Sequence, residues 1–85
     1  MTLFLDTHKG TELPADLRRQ VETRVKSGAK DSFGVVDRGI IIDTEAGEMH
    51  CVLDAPNTDA IIAHHKSLNV PLENSTIHRA SAILK

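Results

Sequence analysis

Gly47–Asn69, GEMHCVLDAPNTDAIIAHHKSLN, is the stretch on which the reading of the fold turns. Glu48 to Ala55 reads as a strand, Pro56 and Asn57 break the chain, and an amphipathic helix follows. Asn57 carries the side-chain oxygen that an N-cap needs, and Asp59 falls in the first turn, where the positive end of the helix dipole favours a carboxylate. Ile61, His65 and Leu68 lie on one side of this helix, flanked by Ile62 and His64. Asn69 suits a C-terminal cap, and Pro71 prevents continuation. The stretch holds the only cysteine, Cys51, and three of the five histidines, His50, His64 and His65. Strong donor atoms are scarce elsewhere, so any chemistry is expected to pass through here.

Working outward, Val35 to Asp43 contains Ile40, Ile41 and Ile42, a β-branched run that reads as a strand buried on part of both faces. Asp43 to Gly47 reads as a hairpin loop that joins it to the strand beginning at Glu48. Upstream, Pro14 suits a first helical position and Asp16 the first turn. Leu17, Val21, Val25, Gly28, Ala29 and Ser32 then share one face at helical spacing. Gly28 offers an early cap, but the face continues through Ala29 and Gly34 offers a later one, so the spacing predicts a helix to about Asp31. Thr2 to His8 reads as the first strand, Glu73 to Ser75 as a loop, and Thr76 to Leu84 as the last strand. The order β-α-β-β-α-β is the ferredoxin-like signature. It predicts an α+β sandwich in which two helices cover one face of a four-stranded antiparallel sheet of order 4-1-3-2, with residues 1–85 forming one domain.

The chain has 85 residues. A domain of that size buries only about 60–65% of its unfolded surface, so the core is thin. One cysteine gives no internal disulfide to reinforce it. Self-association into a homodimer is therefore expected, with the isoleucine run contributing apolar surface. Ten basic residues stand against twelve acidic ones, a formal charge of −2, and the aromatics are Phe4 and Phe33 alone. Neither a phosphate-binding surface nor a base-stacking platform is provided, so nucleic acid is not an expected partner. No apolar run approaches the roughly 20 residues of a membrane span, which speaks against a membrane partner. The N-terminal residues do not resemble an export signal, and a free thiol fits the reducing cytoplasm.

In the expected topology His8 ends the first strand, His50 and Cys51 begin the third, His64 and His65 end the second helix, and His78 begins the fourth strand. All five histidines and the cysteine are thereby expected near one end of the domain. Imidazole nitrogen and thiolate sulfur are ligands that late first-row metals prefer. Asp6 precedes His8 by two residues and shares its strand face, as a further ligand or as the group that orients the imidazole. His64 and His65 are about 100° apart on the helix and do not easily serve one ion. His65 follows Ile61 by four residues and faces the sheet, so His8 and His65 are the expected ligands, with Asp6 and Cys51 contributing. Plainer readings stand beside these. Cys51 also reads as a small buried hydrophobe, His65 as a helix histidine bonded to a backbone carbonyl, His8 as a polar strand end, and His64 and His78 as surface residues. No GxSxG, HExxH, CxxC or glycine-rich phosphate loop is present, and no reaction is assigned from the residues.

The chain resembles a family of small bacterial ferredoxin-like proteins, long labelled a domain of unknown function, in which a nickel-binding member is known. The likeness runs over nearly the whole chain and rests on Phe4-Leu5-Asp6-Thr7-His8, Gly34-Val35, Asp43 with Ala46-Gly47, Cys51, Ala55-Pro56 and His65. The family pattern has a strand Asp-x-His, a cysteine before the Ala-Pro turn, and a helix histidine followed four residues later by a second. Asp6, His8, Cys51 and His65 match; Asn69 stands in place of the second helix histidine, His50 in place of an aromatic and Ile41 in place of a tryptophan. The resemblance implies a transition-metal-binding protein, for nickel or a neighbouring late first-row metal. An organic-ligand binder or enzyme of the dimeric α/β-barrel type, with His8 or His65 as the acid/base group, is the second reading, and an assembly or regulatory module without chemistry the third. Neutral imidazole is the ligand form, so metal binding is expected to weaken as pH falls through about 6.5.

Overall fold

Alternating apolar residues and two helical stripes build six elements among the described residues: β1 (Thr2–Lys9), α1 (Ala15–Ser27), β2 (Val36–Asp43), β3 (Glu48–Ala55), α2 (Thr58–Ser67) and β4 (Ser75–Arg79). The structure, a computed structural model, describes residues 1–70 and 75–83. The four strands form one sheet of order β2-β3-β1-β4, and each neighbouring pair is antiparallel. This is the expected 4-1-3-2 order read from the other edge.

Strand alternation sorts β1 into two faces. Phe4, Asp6 and His8 are buried on the inward face, while Leu3, Leu5 and Thr7 point to the opposite, open face. Pairing carries this division into β3, where Leu53, Cys51 and Met49 lie across from the three inward residues. Side chains of α1, α2 and the inward face of the sheet line one shared cavity, so both helices cover that face. The core is Phe4, Val35, Leu53, Ala55, Ala60 and Ile61. Full burial of each large apolar side chain contributes about 1.5–3 kcal/mol.

The two helices contribute unequally. In α2, Ala60, Ile61, His64 and His65 are buried, and the Asn57 side chain caps the helix by accepting from the Ala60 N–H. The chain leaves α2 through Asn69, which takes the left-handed φ of 56° that a C-terminal cap residue adopts. In α1 no residue is buried; Leu17, Val21 and Val25 are only half covered. α1 also ends at Ser27 rather than near Asp31, because Gly28 takes φ 63° and its N–H closes on the Arg24 carbonyl. The early glycine cap therefore prevails over the apolar face that runs on through Ala29. Asp31 instead organises the loop, its Oδ1 accepting from the N–H groups of Phe33 and Val35.

The isoleucine run is less buried than expected. Ile41 is 59% exposed and Ile42 38%, because β2 is an edge strand and Ile41 points to the open face. Burial in this region belongs to Val35, Val36 and Asp37. A bulge between Asp37 and Gly39 places an extra residue, Arg38, in the strand. β4 stops at Arg79 rather than at Leu84. Leu84 lies outside the described residues, as do Pro71, Glu73 and Asn74.

Candidate metal centre

β1 sets Asp6 and His8 side by side on its inward face, and the antiparallel register puts Cys51 directly across from Asp6. Ile61, fully buried, fixes α2 on the sheet, and His65, one turn on, comes down on the same place. Asp6 is 0% exposed, His65 3% and His8 9%, whereas Cys51 is half-buried and carries a free thiol. One donor atom from each of Asp6, His8, Cys51 and His65 lies within 4.8 Å of all the others. All four residues singled out as metal ligands in the sequence are thus brought together.

The contacts among them have the distances of hydrogen bonds without the directions. Asp6 Oδ2 is 2.6 Å from His65 Nε2 and 2.8 Å from His8 Nε2. Yet Asp6 Oδ1, Asp6 Oδ2 and His8 Nε2 are buried with no aligned hydrogen-bond partner. Buried polar atoms in folded chains are nearly always paired, so three orphaned atoms converging on one spot call for a group that takes lone pairs from all of them. A cation does this. On the far side of its ring, His65 Nδ1–H donates to the Ile61 carbonyl at 2.8 Å, which fixes the tautomer whose Nε2 lone pair faces Asp6 and His8. The His8 and His65 rings lie 5.4 Å apart, centroid to centroid.

With no cation bound, the centre is an ion pair. Burial is the largest influence on Asp6 and raises its pKa, but the polar contacts and charges of His65 and His8 outweigh it and hold the carboxyl at about 2. Burial likewise opposes the charged form of His65, and its contacts with Asp6, Cys51 and the Ile61 carbonyl outweigh that and push it up to about 9. A cation bound here would have to displace a proton from His65, which would set its pH dependence above the ordinary histidine range expected from the sequence.

His64 is not a surface residue. It is 2% exposed, and both ring nitrogens face carboxylates: Nδ1–H donates to Asp31 Oδ2 at 2.5 Å and Nε2–H to Asp37 Oδ1 at 3.2 Å. Burial lowers its pKa, but Asp37 and Asp31 more than compensate and raise it. Its ring stands edge-on to that of His65, outside the donor set. The five histidines do not form one cluster, because the sheet divides them. His50 pairs across from Thr7 on the open face and hydrogen-bonds its Oγ1 at 2.9 Å. His78 pairs with Leu5 and is exposed, as a surface residue should be. A second group that the sequence did not flag, Asp43, Glu48 and His50, lies half-buried on the open face beside the β2–β3 hairpin. Asp43 Oδ1 is already engaged there by the N–H groups of Glu45 and Ala46. Asn69 lines the cavity next to the centre but supplies none of its four donors.

No family model matches the chain, and no curated protein matches it. Among solved structures, the fold is similar to that of SCO4226 from Streptomyces coelicolor A3(2), known from a crystal structure. The two superpose with a TM-score of 0.66 at 18% sequence identity, over 96% of this chain and 99% of the other. At that identity the likeness concerns the fold. Among the described residues no helix is long and apolar enough to cross a membrane.

Proposed function

We propose that this is a ferredoxin-like, cytoplasmic transition-metal-binding protein of the nickel-binding type, with His8 and His65 as the principal ligands and Asp6 and Cys51 completing the set. The observation that carries this reading is the convergence of Asp6, His8, Cys51 and His65, one donor atom of each within 4.8 Å of the others, with the far nitrogen of His65 already tied to a carbonyl. Two imidazoles, a thiol and a carboxylate suit nickel, copper or zinc better than calcium or magnesium. The cavity beside the centre favours the second reading, an organic-ligand protein with His8 or His65 as its acid/base group.

Calorimetry with nickel, copper and zinc tests the metal reading. Wild type is expected to show one saturable site tighter than roughly 100 µM, about −5.5 kcal/mol. His8→Ala and His65→Ala are each expected to weaken it at least tenfold. The apparent affinity should rise about tenfold per pH unit from neutrality towards 9, one proton leaving His65 per metal bound. Absence of a saturable site in wild type would refute the reading, and unchanged affinity in both variants would refute the ligand assignment.

The open face of the sheet carries Leu3, Leu5, Ile41 and Val52, and no described element covers it. We propose that a second copy of the chain covers it. Sedimentation at micromolar concentration is expected to give twice the chain mass, and a monomer there would rule the dimer out.

A further inference from the structure

A cavity of about 310 Å³ lies between the inward face of the sheet and both helices. Leu13, Leu17, Val21, Ile40, Met49 and Leu68 make much of its wall, and none of them is fully buried. The absence of any buried residue in α1 has the same origin: Leu17 and Val21 face this space rather than packed side chains. The volume is at the lower end of the roughly 300–1,000 Å³ typical of ligand sites, which selects a small molecule over a peptide or a dinucleotide. The wall selects an apolar body.

Charge sets the next condition. In the wall, His65 already faces Asp6 at 2.6 Å, and His64 already faces Asp37 at 3.2 Å. Lys9 and Glu12, of opposite sign, border the cavity from exposed positions. A charged ligand would be buried with no unpaired opposite charge to meet it, which is costly, so an uncharged one is selected. The last condition comes from His8. His50, His64 and His65 each place Nδ1 on a partner: Thr7, Asp31 and the Ile61 carbonyl. His8 is 9% exposed and lines the cavity, yet its Nδ1 has no hydrogen-bond partner among the described residues. Its Nε2 is sealed from solvent 2.8 Å from Asp6 Oδ2, and a carboxylate there favours a proton over a lone pair on that nitrogen. In the neutral ring Nδ1 is thereby the acceptor, and it calls for a donor. We propose that the metal-free protein binds a small uncharged alcohol or phenol in this cavity, its hydroxyl donating to His8 Nδ1 and its apolar body lying against Leu13, Leu17, Val21 and Ile40. No bound ion takes part, so this site goes beyond the metal reading and stands or falls apart from it.

The test uses chelator-treated wild type at neutral pH and three probes of similar bulk: p-propylphenol, its methyl ether and p-propylbenzoate. The ether keeps the apolar body and loses the donor; the benzoate carries a charge. Calorimetry gives the affinities, and nitrogen NMR follows His8 Nδ1. The phenol is expected to saturate one site and to bind more tightly than either of the others by about fivefold or more. The Nδ1 resonance is expected to shift with the phenol and not with the ether. Val21→Trp, which fills the cavity from a half-exposed helix position, is expected to lower phenol affinity by about tenfold or more. Absence of saturable phenol binding to wild type overturns the proposal. Equal affinity for phenol and ether, or an unmoved Nδ1 resonance, overturns the hydroxyl contact. Equal affinity for the benzoate overturns the selection of an uncharged ligand, and full affinity in Val21→Trp overturns the placement of the apolar body. Each of these results leaves the metal titrations, made on separate samples, to decide the metal reading.

Discussion

Asp6→Ala is expected to lower the stability of the metal-free protein by about 3–5 kcal/mol, the range for breaking a buried ion pair by removing one partner. Asp6 sits on a central strand with no exposed surface, and its carboxylate faces both His8 and His65. Without it, the His65 imidazolium is left buried and unpaired, and burial drives its pKa down from about 9. The signs give the pH window. Asp6 has its pKa lowered from 3.8 to about 2, so its contribution is complete above 3.8 and fades as pH falls through about 2. His65 has its pKa raised from 6.5 to about 9, so its contribution is complete below 6.5 and fades as pH rises through about 9. The gap between wild type and variant should be widest near about pH 5 and should narrow above about pH 9. Urea unfolding at both pH values measures it. A gap of under about 1 kcal/mol near pH 5, as for an exposed pair, would show that the carboxylate is not buried as described.

The second large effect belongs to His64. His64→Leu should cost about 3 kcal/mol, because it leaves the Asp37 carboxylate, 8% exposed, without its partner. Asp31 suffers less, since its other oxygen still accepts two backbone N–H groups. Adding Asp37→Leu removes the stranded charge, and the double variant should recover more than half of the loss, as apolar replacement of buried ion pairs commonly does. Metal affinity should change far less than in His65→Ala, since His64 lies outside the donor set. Additive losses in the two substitutions would mean that His64 and Asp37 do not act as a pair.

Much of this arrangement is legible in the chain because it follows from two short periods. Asp6 and His8 share a face by the two-residue repeat of a strand, and His65 joins Ile61 by the turn of a helix. Strand order alone makes β1 and β3 neighbours, and the register that sets Cys51 opposite Asp6 comes from the structure. Features that depend on how far elements stand apart were not legible. Nothing in the spacing of Leu17, Val21 and Val25 says that α1 rests above a cavity instead of in a packed layer. His64 looked like a flanking residue because its partners are remote: Asp31 and Asp37 lie 33 and 27 positions away, one in a loop and one beside a bulge. A pair of carboxylates spaced to receive both nitrogens of one ring leaves no periodic trace. The competition between Gly28 and Gly34 as caps was visible but was decided by backbone closure on Arg24, not by the apolar stripe.

The bulge at Arg38 also bears on the colloidal behaviour of the chain. β2 is an outer strand of the sheet and carries three consecutive isoleucines, the kind of segment on which another strand can dock and polymerise. The extra residue interrupts the pairing repeat, and Arg38, held by Asp54 at 3.1 Å, puts a hydrated cation beside it. Lateral growth along that edge is thereby disfavoured. Association through the sheet face closes on itself after two copies, whereas association through an edge has no natural end. One inserted residue thus makes the outer edge a poorer template for a further strand.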